Sequence, residues 1–143
     1  MILRQLAKRA WTLYAVASDR GDCQLLKFLG EFTDPPPPPD KADRLGINKV
    51  EMIRLMSRMA ESGPPRNTEI SHQIDTDIFQ LTKGGVRVLY FYGQLRRTLI
   101  FSHGFPKTTP KTPPAEKARV NQALAEYRSA HARGGITYLG EDD

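Results

Sequence analysis

The stretch at residues 86–113, "VRVLYFYGQLRRTLIFSHGFPKTTPKTP", decides how the rest of the chain is read. Two runs rich in β-branched and aromatic residues, VRVLYFY (86–92) and RTLIFSH (97–103), flank a turn around Gly93 and predict a β-hairpin. Working backwards, IDTDIFQLT (74–82) reads as one further strand and KGG (83–85) as the turn between. The connections are too short for a parallel crossover, so the three strands form an antiparallel meander. Working forwards, the loop GFPKTTPKTPP (104–114) leads into a helix starting near Pro113, with Thr112 as its cap and proline tolerated in the first turn. Val120, Ala123, Leu124 and Tyr127 recur at helical spacing, which predicts that one face of this helix packs on the sheet.

Further upstream, WTLYAVA (11–17) reads as a strand, and SDRGD (18–22) as a turn with Asp22 placed to cap the short helix CQLLKFLG (23–30). The segment TDPPPPPDK (33–41) can be neither helix nor central strand, because five consecutive prolines remove every amide donor. It reads as a stiff connection or as a ligand for a proline-binding module. From about Asp43 to Ser62, Val50, Ile53, Met56 and Ala60 form one helical stripe, and Met52, Leu55 and Met59 form a neighbouring one. That core-facing helix is stopped by GPP at 63–65. The expected fold is a single α+β domain over residues 1–143: an N-terminal strand, a helical hairpin, a three-stranded antiparallel meander joined by the first strand, and a closing helix. Residues 1–10 are expected to be an N-terminal extension, residues 33–41 a proline-rich connection and residues 134–143 a flexible acidic tail.

A chain of 143 residues with 39% hydrophobic and 26% charged content is that of one soluble domain. Nothing approaches a run of ~18 apolar residues, and Arg4, Lys8 and Arg9 interrupt the N-terminus before a signal-peptide core can form. A cytoplasmic location without a membrane partner is expected. Cys23 is the single cysteine, which excludes a disulfide framework or multi-cysteine metal site within one chain and makes it a small buried apolar residue.

The net charge of +5 is distributed unevenly. Residues 1–81 hold eleven basic and eleven acidic side chains, whereas residues 82–133 hold ten basic ones against Glu116 and Glu126 alone. From Lys83 to Lys111 the cations are Lys83, Arg87, Arg96, Arg97, Lys107 and Lys111, with no acid between them. A polyanion is the natural partner of such a region, because each phosphate neutralised by Lys or Arg releases counterions. A merely solvated basic face is the other reading. Arg87 stands in an otherwise apolar strand, where burial without a partner would be costly, so it should point into a groove or meet an anion, a structural ion pair being the other reading. His103, with an ordinary pKa of ~6.5, suits proton exchange near neutrality or a structural place. Tyr90 and Tyr92 suit stacking on a base or packing. His72, Asp75 and Asp77 hint at a metal site, but nothing else completes a ligand set, so neither metal nor other cofactor is expected.

The order of elements, together with WTLYAV and LLKFL, the hairpin KGGVRVLYFY, and SHGFPKTTPKTP leading into AEKARVNQALAEYR, resembles the HigB branch of the RelE/ParE superfamily of bacterial toxins, which includes phage-derived proteins. The resemblance covers roughly residues 11 to 131. It implies a RelE-like α+β domain, a toxin of a type II toxin–antitoxin system that cleaves messenger RNA on the ribosome without a metal. It also implies a small helix-turn-helix antitoxin as partner, the two together binding operator DNA. On this match Arg87, His103 and Lys107 are catalytic, and Lys83, Lys111, Tyr90, Tyr92, Arg96 and Arg97 bind RNA. The sequence departs from the branch at Gln80, Leu81 and Thr82, where Glu-Leu-Arg is common, and at Thr108, where a second lysine usually follows Lys107. A non-catalytic binder on the same fold is the alternative, either a ParE-like gyrase poison or a phage-borne inhibitor of a host assembly.

Overall fold

A computed structural model describes residues 1–30, 32 and 43–140. Its elements are β1 (Ile2–Lys8), β2 (Thr12–Ala17), α1 (Gln24–Leu29), α2 (Arg44–Ser62), β3 (Ser71–Asp75), β4 (Ile78–Lys83), β5 (Val86–Tyr92), β6 (Thr98–Pro106), α3 (Pro114–Ala132) and β7 (Thr137–Leu139). The strands form one seven-stranded mixed sheet in the order β3-β4-β5-β6-β2-β1-β7. Neighbours from β3 to β6 are antiparallel, β2 joins β6 in parallel, and β1 is antiparallel to β2 and parallel to β7. Among the described residues no helix is long and apolar enough to cross a membrane. The proline-rich connection at 33–41 lies outside the described residues.

Strand alternation divides the core between two faces. Leu13, Leu81, Val88, Tyr90 and Phe101 point to α1 and α2, where Met52, Met56 and Met59 close the layer and Cys23 is buried. Ile78, Leu89, Phe91 and Ile100 point the other way, onto the Val120, Ala123, Leu124 and Tyr127 face of α3. The helical spacings read from the sequence thus carry the packing of both long helices. Gly63 ends α2 at φ +79, and a Cβ there would lie 2.7 Å from the Trp11 ring, so the turn into β3 passes against the start of β2 only because it is glycine.

The sheet is larger than the expected meander. IDTDIFQLT is not one strand: the Asp75 carboxylate accepts from the Thr76 amide at 2.8 Å, and Asp77 takes a left-handed φ of 61°. Aspartate tolerates that conformation, and the result is a two-residue turn between β3 and β4 inside what read as a continuous run. Residues 1–10 are not an appendage either. Ile2–Lys8 pairs along β2, and Leu3 is wholly buried under α3. Nor is 134–143 a free tail throughout, since Thr137–Leu139 pairs with β1 and the Met1 ammonium donates to the Gly135 carbonyl at 2.8 Å; residues 141–143 lie outside the described residues. Neither expected cap forms. The N-caps of α1 and α3 are Cys23 and Pro113, Asp22 instead faces Lys27 at 3.8 Å, and the Thr112 hydroxyl donates to the Gln80 side chain at 2.6 Å.

Candidate nucleic-acid interface

The β5–β6 hairpin carries the candidate residues, and its geometry separates them. β5 is seven residues long, about 20 Å. Arg96 and Arg97 sit on the exposed turn at one end, and Lys83, Arg87 and Lys107 at the other. The six cations of the sequence therefore do not form one patch.

At the second end, Arg87 alternates with Val86 and Val88 and faces the α3 side of the sheet, beyond the start of that helix. It is only 3% exposed. Its Nη1 donates to the Lys111 carbonyl at 3.1 Å and its Nη2 to the Pro110 carbonyl at 2.7 Å, while the buried Nε has no partner. Among the described residues it has no carboxylate partner; it meets two backbone carbonyls of the 107–113 loop. Burial lowers the guanidinium pKa, yet arginine keeps its charge in proteins. The loop is thus drawn over a buried cation. Thr112 on Gln80 fastens it a second time, and the Lys107 amide, donating to the Gly85 carbonyl at 2.8 Å, extends the β5–β6 ladder by one step.

His103 departs from its expected chemistry. A β-bulge between Leu89 and Tyr90 on β5 and their β6 partners leaves Ser102 as the extra residue. The Ser102 hydroxyl and His103 Nδ1 lie 2.8 Å apart. His103 Nε2 is 3.5 Å from Glu116 and makes no hydrogen bond. The ring is 1% exposed. Burial, with Arg119 nearby, pushes its pKa down to about 4, so the imidazole is neutral near pH 7. Proton exchange near neutrality was expected on an ordinary pKa, which desolvation removes.

The two tyrosines divide as well. Tyr90 is fully buried between Phe79 and Phe101, bonded to the Ser71 hydroxyl at 2.6 Å, with its pKa pushed up to about 12 by desolvation. It belongs to the core and offers no face to a base. Tyr92 is 44% exposed and meets Phe79 and Trp11 edge-on, at the Arg96 end. Asp75 accepts from Asn121 at 3.2 Å and Asp77 from Arg128 at 2.8 Å, so these carboxylates fasten the β3–β4 hairpin to α3.

Lys107 and Lys111 are exposed and Lys83 is half-buried. Two grooves flank their loop. One, lined by His72, Gln80, Lys111, Thr112 and Lys117, opens toward the start of α3. The other, lined by Arg44, Leu45, Asn48, Gly84, Gly85 and Lys107, runs along the first turns of α2. Arg44, Asn48 and Lys117 were not among the expected site residues. Lys117 had a sequence signal, as the next cation after Lys111 on the first turn of a predicted helix, but Arg44 and Asn48 had none, being some sixty residues from Lys107. Among the described residues, Lys83, Arg87, Lys107, Lys111 and Lys117 make no ion pair. The lysines of this end can therefore meet an anion without first breaking an ion pair, whereas Arg87 would first have to release its two loop carbonyls.

No curated protein matches the chain. A family model described as phage derived protein Gp49-like (DUF891) matches residues 42–125, more than half of the chain and the part that runs from α2 into α3, with every expected site residue inside it. That family lies in the RelE/ParE-like toxin clan, is related to RelE-type ribonuclease toxins, and is commonly of toxin–antitoxin type. The chain belongs to the Gp49-like family of phage-derived, toxin-like proteins.

Proposed function

We propose that this chain is the toxin of a toxin–antitoxin pair and that it cleaves messenger RNA on the ribosome without a metal ion. The observation that carries the reading is the set of unpaired cations, Lys83, Arg87, Lys107, Lys111 and Lys117, gathered at one end of the sheet. In such cleavage the ribose 2′-hydroxyl gives up its proton and forms a bond to the adjacent phosphorus. The bond from phosphorus to the 5′-oxygen breaks and that oxygen takes a proton, leaving a 2′,3′-cyclic phosphate and a 5′-hydroxyl. Negative charge grows on the phosphoryl oxygens, and fixed cations supply the stabilisation. Lys107 and Lys111 hold phosphates on the loop. Arg87 exchanges the carbonyls of Pro110 and Lys111 for phosphoryl oxygens as the loop lifts, with its fork already oriented by the strand. His103, neutral and enclosed, fits a positioning role behind Arg87 better than proton transfer. A helix-turn-helix antitoxin would hold the toxin inactive.

A second reading, binding without cutting, draws on the burial of both Arg87 and His103. Inducing the chain without its partner separates the two. Cleavage predicts arrested protein synthesis and messages cut within coding regions, while plasmid supercoiling stays normal. Intact messages with arrested synthesis would leave the binding reading, and cleaved DNA would point to a gyrase poison.

A further inference from the structure

The groove along α2 is a cavity of about 630 Å³, within the ~300–1,000 Å³ range of small-molecule sites. Its walls differ in chemistry. Arg44 and Lys107 stand on opposite sides, on α2 and on the loop root, and among the described residues neither has a carboxylate partner. Leu45, 37% exposed, and Pro106 make an apolar ledge. Between them lies Asn48, half-buried, whose side chain makes no hydrogen bond to the protein among the described residues. Its amide rests on the β4–β5 turn so closely that a Cβ on Gly84 would fall 2.5 Å from it. Gly84, at φ +55, thus leaves the amide its place.

A free amide offers a donor and an acceptor side by side, the pattern that reads the edge of a nucleobase. An apolar ledge accepts the flat face of a base, and cations on either side accept the phosphates that flank it. Among the described residues no acid lines the groove, which favours a polyanionic strand over a peptide of mixed charge. We propose that this groove seats one base of a bound single-stranded RNA, with Asn48 reading its edge and Arg44 and Lys107 holding the adjoining phosphates. The inference rests on the reading of the chain as RNA-directed, and it assigns base preference to α2 rather than to the sheet.

The test is equilibrium binding of the full chain to short single-stranded RNAs that differ at one position, followed by fluorescence anisotropy at fixed salt. The wild type should favour one base at that position by at least ~5-fold, the scale of one amide–base pair. Asn48→Ala should flatten the preference below ~2-fold, matching the loss caused by an abasic nucleotide there. Asn48→Asp, of the same size but negatively charged, should weaken all sequences by ~10-fold. Arg44→Ala should weaken all sequences evenly and lower the salt slope by about one. Arg58→Ala, about 15 Å beyond Asn48 along α2, should change nothing. Each variant is checked for the wild-type melting transition, and Asn48→Asp decides if Asn48→Ala does not fold. Unchanged preference and affinity in a folded Asn48 variant would overturn the inference, as would an acidic peptide that occupies the groove while RNA binding continues. RNA bound with preference but left uncut would defeat the cleavage proposal and leave the groove standing. RNA cut with the same preference by Asn48→Ala would do the opposite.

Discussion

The two ends of the β5–β6 hairpin carry similar charge and are built differently. At the turn, Arg96 and Arg97 project from an exposed loop beside Leu95, which is 54% exposed, and Arg97 holds a left-handed φ of 54°. Its carbonyl accepts from the Thr12 amide at 2.9 Å, so the backbone there serves the sheet while the side chains reach into solvent. At the open end, Arg87 is buried and organises a loop through two carbonyls, and the lysines of that loop are displayed in fixed register. Charge density alone does not distinguish these ends. What does is pre-organisation: a cation held by the fold acts on a phosphate without first losing its own conformational freedom.

The largest expected effect is at Arg87. If it stabilises the transition state, Arg87→Ala should raise the cleavage barrier by about 2.7 to 4 kcal/mol, slowing the reaction ~100-fold or more, and loss of its two loop bonds should make residues 107–113 easier to proteolyse. Arg87→Lys should restore only part of the rate, since an ammonium cannot make the forked contact. Both measurements are made in EDTA on pre-assembled ribosomes, with magnesium effects on ribosomes controlled separately. Full cleavage by a folded Arg87→Ala variant would erase the contrast between the ends.

Next comes a pH effect on stability. His103 has a folded pKa of about 4, below its unfolded value near 6.5, so the unfolded chain binds more protons between them. Stability from this group is therefore complete above about pH 6.5 and is lost as pH falls toward 4, by an amount on the order of 3 kcal/mol. His103→Gln should flatten that part of the urea-unfolding profile, and an unaltered profile would mean that the ring is reached by water in solution.

A smaller effect is expected at Lys107. Lys107→Ala should slow cleavage ~10-fold and reduce the salt dependence of RNA binding by about one counterion. The smallest is at the turn, where Arg96→Ala should alter cleavage by less than ~2-fold and surface stability by under ~0.5 kcal/mol. A large loss there would show that the two ends act together.

The sequence by itself determined the elements whose signals are local. The long helices follow from 3.6-residue spacing, and the β5–β6 hairpin from dense β-branched and aromatic runs about a glycine turn; the regional excess of cations is a matter of counting. Local chemistry also misled where one residue carried two meanings, as at Asp75 and Asp77, whose turn geometry lay hidden inside a strand-like run. Only the tertiary structure decided the rest. Thr137–Leu139 becomes a strand because Ile2–Lys8, itself paired to β2, supplies its partner from the far end of the chain, which no local window contains. Burial turned Tyr90 into core and His103 into a neutral ring, since desolvation depends on what packs above a strand and not on the residues beside it in sequence. The meeting of Arg44 and Asn48 on α2 with Lys107 arose in the same way, from the docking of a helix against the end of a sheet.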